Sequence, residues 1–96
     1  MGLCICEHKV GNPLRAREYC HRALRHAPND PVAHFLFGNV NRDIYTALRP
    51  TCEYLKAARN SYSRMLAINP DLKESEWARG YLAAIDKHFP ESGCRT

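Results

Sequence analysis

No stretch of the 96-residue sequence approaches the roughly 20 consecutive apolar residues that a membrane-spanning helix requires. The apolar start Leu3-Cys4-Ile5 is broken by Glu7, His8 and Lys9, so the pattern of a secretory leader is missing too. There is no Cys-x-x-Cys pair, and the cysteines number five: Cys4, Cys6, Cys20, Cys52 and Cys94. An odd set without paired spacing is not the framework of a small secreted disulfide domain. The expected compartment is reducing, cytoplasmic by default and nuclear as an alternative, with buried or idle thiols. Proline-rich and low-complexity tracts are absent, and no segment alternates apolar and polar residues as a half-buried strand does. The net charge of +4 is not concentrated either, since 14 Lys and Arg mix with 10 Asp and Glu along the chain. A nucleic-acid site gathers cations around stacking aromatics, so no nucleic-acid partner is expected. The arginines of residues 15 to 25 are the one place where such a site would sit.

What is present is helical. The hydrophobic fraction of 45% and charged fraction of 25% suit a single small globular domain, expected over residues 1–90 with a polar tail at 91–96. Asn12-Pro13 reads as a cap followed by a first helical residue, and Ala16, Cys20, Ala23 and Leu24 then fall on one face, with Leu14 and Ala27 at its ends. Asp30-Pro31 repeats the start signal. Val32, Phe35, Leu36, Val40, Ile44, Ala47 and Leu48 form the next apolar set. Gly38 sits inside that helix, where glycine costs about 1 kcal/mol against alanine, which suggests close approach of a neighbouring helix. A third helix carries Leu55, Ala58, Tyr62, Met65 and Leu66 and stops before Pro70. Asp71, with Glu74 three residues on, has the spacing of a capping box. The last helix carries Trp77, Ala78, Tyr81, Leu82, Ile85 and Phe89. The expected helices are 2–11, 13–27, 31–48, 50–68 and 72–89, an all-α fold of antiparallel pairs.

The apolar pattern repeats. Ala16, Cys20, Ala23 and Pro28 recur as Ala58, Tyr62, Met65 and Pro70, and Phe37-Gly38 recurs as Arg79-Gly80. These residues resemble the tetratricopeptide repeat, a 34-residue helix-turn-helix unit with the pattern W-x2-L-G-x2-Y, A-x3-F, P. Gly11 falls where that family often has a glycine between helices. The resemblance implies a short right-handed superhelix of stacked pairs, with Ala16, Cys20, Ala23, Pro28, Gly38, Ala58, Tyr62, Met65, Pro70 and Gly80 as its packing positions. The sequence departs from the pattern at His34, Asn41 and Arg79. Pro28 and Pro70 stand 42 residues apart, eight more than the repeat period. Split equally, eight residues add about one turn to each helix and preserve their facing surfaces, with Ile44, Leu48 and Leu55 sealing the extension. The chain then holds one complete unit, half a unit before it and one helix after it. This is expected of a fragment or short form of a larger array, or of a domain that associates with itself or another protein.

The first helices of stacked pairs line a concave face that binds peptides in this family. The resemblance places Phe35, Leu36, Asn39 and Arg42 there, followed by Trp77 and Tyr81, as a groove for a protein or peptide partner. The competing expectation is that Trp77 and Tyr81 pack back onto Met65 and Leu66. Leu36 and Ala78 stand where a chaperone-tail clamp would need Asn and Arg, so that ligand is not implied. Met1-Gly2-Leu3-Cys4-Ile5-Cys6 resembles the start of N-myristoylated proteins, which implies an alternative: a membrane-tethered adaptor acylated on Gly2, Cys4 and Cys6. Cys4, Cys6 and His8 do not make a four-ligand metal site, and His21, His26, His34 and His88 are isolated on polar faces. No thiol has a base and an oxyanion donor beside it in the pattern. The expected function is a non-catalytic scaffold or adaptor module with no cofactor and no metal.

Overall fold

Prolines mark where the helices begin. Pro13 opens α1 (Pro13–His26) and Pro31 opens α2 (Pro31–Ala47), each at a position whose missing N–H would have had no partner within the helix. α3 (Cys52–Ile68) and α4 (Lys73–His88) follow. A computed structural model describes residues 13–48, 50–89 and 94, and these are all-α, with no strand. The expected helix at 2–11, Gly11, the Asn12 cap and the acylation candidates Gly2, Cys4 and Cys6 lie outside the described residues, as does the polar tail apart from Cys94.

Each joint is four residues long, at 27–30, 48–51 and 69–72, too short for anything but antiparallel neighbours. Accordingly α1 packs on α2, α2 on α3 and α3 on α4, and α2 also touches α4. The eight additional residues are helical apart from the 48–51 joint, as α2 and α3 run for 17 residues each. Asp30 caps α2, its carboxylate accepting the amides of Val32 and Ala33 at 3.0 and 3.4 Å. Asp71 does not repeat that role. α4 starts two residues later, with Leu72 at the cap position and no side-chain bond there. The turn is held instead by Asn69, whose side-chain oxygen accepts the Asp71 amide, and by Ser75, whose buried hydroxyl donates to the Asn69 carbonyl at 2.7 Å.

The core has two parts, and α2 belongs to both. Phe35 joins Leu55, Ala58, Tyr62, Met65, Ala78, Ile85 and Phe89, between α2, α3 and α4. Val40 and Ile44 join Ala16, Cys20 and Tyr54, between α1, α2 and α3. Gly38 lies at a close approach of α2 and α3. A β-carbon built there would stand 2.8 Å from the ring of Tyr62, which is itself wholly buried. Leu14, Ala27, Ala47 and Leu48 do not join the stripes expected of them. All four are exposed, Leu48 at 52%, because each falls at a helix end beyond the reach of its neighbour. Gly80 is likewise no packing glycine: nothing lies within 4 Å of where its β-carbon would be.

The cysteines depart most from expectation. Cys52 at the start of α3 is bonded to Cys94, 42 residues on, and Cys20 is also disulfide-bonded. These three are therefore not idle thiols. No described helix is long and apolar enough to cross a membrane.

Candidate peptide groove

Helical spacing presents one side of α2 to one side of α4. From α2 it brings forward Phe35, Arg42, Tyr45 and Thr46, and from α4 Trp77, Tyr81, Ala84, Ile85 and His88, positions that recur along one face at offsets of three, four and seven residues. Between them lies an open, mostly apolar cavity of about 170 Å³, floored by Leu55 of α3 and bordered by Arg42, Tyr45, Tyr81 and His88.

Its polar rim is held in place. The Arg42 guanidinium lies 3.8 Å from the centre of the Tyr81 ring, a contact that fixes both side chains while leaving the Arg42 side chain 29% exposed. Its distance to Asp43 is 3.9 Å, long for an ion pair. At the far end the Tyr45 hydroxyl and His88 Nε2 are 2.9 Å apart, with the two rings edge to face. At the near end the aromatic rings continue: Phe35 stands 6.3 Å from Trp77 and 6.5 Å from Tyr81, and Tyr81 stands 5.6 Å from Tyr62. Beneath them the Tyr62 hydroxyl donates to the Asn39 side-chain oxygen at 2.6 Å. Burial pushes the Tyr62 phenol well above its ordinary pKa, while Arg42 pulls the other way.

Of the six residues placed in the groove by the resemblance, Arg42 and Tyr81 line the cavity, Phe35 and Trp77 adjoin it through ring contacts, and Asn39 is joined to them through the Tyr62 hydroxyl. Phe35 is a wall of the core, 7% exposed, and Trp77 is the accessible member, 50% exposed. Leu36 lies elsewhere, packed with α1 against Ala16 and Cys20. Tyr45, Thr46 and Ala84 were not singled out in the sequence, while Ile85 was read there as an apolar core residue and His88 as an isolated histidine rather than as parts of the groove. Each continues the same face, three to seven residues beyond Arg42 or Tyr81, so the spacing that selected those two also pointed to them. No protein-family model, curated protein or solved structure matches the chain.

Arg17 and Arg22 of α1 have partners within the chain. Arg17 donates to the side-chain oxygen of buried Asn41 at 2.6 Å, lies over the rings of Phe37 and Tyr54 and reaches Glu53 at 3.7 Å. Asn41 completes its bonding through Nδ2 to the Phe37 carbonyl. Arg22 pairs with Glu18 on its own helix. His21 stacks on Phe37 and His34 Nε2 donates to the Pro28 carbonyl. Among the described residues no group of three His, Cys, Asp or Glu is gathered as a metal site would need.

Proposed function

We propose that the chain is a non-catalytic protein–protein interaction module of tetratricopeptide-like design, holding a short peptide in the groove between α2 and α4. The observation that carries this reading is the pairing of a preformed apolar cavity with a fixed, partly exposed cation, Arg42 over Tyr81. Apolar side chains gain from burial in such a cavity, and a charged or carbonyl group of the peptide gains from Arg42. The tetratricopeptide-like part is supported by the four-residue joints, by Gly38 meeting Tyr62 and by Ala16 and Ala58 at equivalent buried positions. The short-array reading, with a protein or peptide partner, follows from it.

The test is selection of short peptides from a displayed library on the full chain, with affinities then measured by fluorescence polarisation. Selected peptides should lose at least about tenfold in affinity with Tyr81→Ala and with Arg42→Gln, the range of a well-placed anchor residue. Peptides that bind both variants as well as the parent would remove the groove from consideration.

A further inference from the structure

α1 and α3 both lie against α2, and Arg17 bridges them at one end through Glu53 and Tyr54. Toward the other end they leave a second cleft, of about 430 Å³, on residues distinct from those of the groove between α2 and α4. Its lining brings together Leu24 of α1, Phe37 of α2, and Ala57, Asn60 and Ser61 of α3. Ser61 adds little polarity, because its hydroxyl donates to the carbonyl of Ala57 within α3. The exposed lining is mostly apolar, with Asn60 as its other uncharged polar side chain, and the volume is that of a small-molecule site.

The rim has a definite charge. Arg64 borders the cleft and makes no ion pair or hydrogen bond among the described residues, and His34 borders it from α2. No described carboxylate lines the cleft. An apolar trough with one uncompensated guanidinium at its edge complements a ligand with an apolar body and a single anionic head. A cationic ligand would meet Arg64 as a like charge, and a neutral apolar one would leave it unused. We propose that this cleft binds a free medium-chain carboxylic acid, with its chain between Leu24 and Ala57 over Phe37 and its carboxylate on Arg64. An Arg–carboxylate pair is the stronger class of hydrogen bond and also orients the ligand, and the apolar chain supplies the burial.

The experiment is isothermal titration calorimetry on the full, disulfide-bonded chain with three probes: octanoate, 1-octanol and acetate. Octanoate should bind at one saturable site, 1-octanol about tenfold more weakly, and acetate not at all. Arg64→Gln should weaken octanoate about tenfold and leave 1-octanol unchanged, whereas Lys87→Gln, an exposed cation of α4, should change neither. Ala57→Phe should abolish binding of both by filling the cleft, with thermal melting as the check on folding. Should that variant not fold, Leu24→Trp fills the cleft from the opposite wall. The proposal is overturned if octanoate gives no saturable heat, or if octanoate and 1-octanol bind equally. It is equally overturned if Lys87→Gln weakens octanoate as much as Arg64→Gln does, or if the cleft-filling variant still binds.

Discussion

Gly38 of α2 and Gly80 of α4 lie 42 residues apart, as do Phe35 and Trp77, Val40 and Leu82, and Pro28 and Pro70. The two helices thus carry matching residues at matching places, yet the packing around them differs. Around α2 the other three helices close in: Gly38 admits the ring of Tyr62, and Phe35 is covered by α3 and α4. Around α4 the described neighbours are α3 and an edge of α2, so Gly80 faces open space and Trp77 is half exposed. A glycine in a helix costs about 1 kcal/mol relative to alanine, and at position 38 the close helix contact offsets that cost. At position 80 nothing described offsets it. The same residue is therefore a packing device in one helix and a local weakness in the other, and only the neighbours decide which.

The disulfide bears on this difference first, because it ties the chain beyond α4 to the start of α3. Closing a loop of 42 residues is worth about 4 kcal/mol on the chain-entropy estimate. The double change Cys52→Ser, Cys94→Ser should therefore lower stability by roughly that amount in denaturant titrations. Hydrogen exchange should show protection falling more in α4 than in α2. Equal loss in both helices would mean that α4 is no more weakly held than α2.

Gly38→Ala comes next. Its new methyl group meets a buried aromatic ring with no room to swing aside, so overpacking should cost about 1–3 kcal/mol and outweigh the gain in helix propensity. A thermal melt that rose on this substitution would contradict the close approach of α2 and α3.

Tyr62→Phe separates packing from hydrogen bonding at the same contact. Loss of the bond to Asn39 should cost about 1 kcal/mol at neutral pH. The folded chain also holds the Tyr62 proton more tightly than the unfolded chain does. Stability from that source is fully present below about pH 10, the ordinary tyrosine pKa, and is lost as pH rises above it. Melting temperatures measured from pH 8 to 11 should fall less steeply for Tyr62→Phe than for the parent.

The smallest effect has the opposite sign. Gly80→Ala should stabilise the chain by about 0.5–1 kcal/mol, because the methyl group enters open space. Destabilisation here would mean that something packs against α4 at this position.

The helices were legible in the sequence, because prolines and apolar spacing are local signals. Gly38 was legible for the same reason, as a glycine held at a helix interior against propensity. Gly80 carried an identical signal with no such contact, because what covers a residue depends on elements distant in sequence. The same limit explains Leu48, apolar and in phase but beyond the reach of any neighbour. It explains Asp71 as well: the cap spacing was right, but the Asn69 and Ser75 bonds moved the helix start. Cysteine pairing was read from number and spacing, neither of which reports that Cys52 and Cys94 come within 5.5 Å between their α-carbons. Of the groove, the aromatic and arginine anchors were visible, while Tyr45 and His88 required knowing how far α2 and α4 run alongside each other.

The succession of chain neighbours, α1 on α2, α2 on α3 and α3 on α4, has a kinetic consequence. Most of its contacts join segments separated by one short turn, so little loop entropy opposes their formation. Helical chains of that kind fold in microseconds to milliseconds, whereas thiol oxidation takes seconds to hours. Cys52 and Cys94 should therefore meet in a chain already folded, and the covalent bond then locks an arrangement it did not direct.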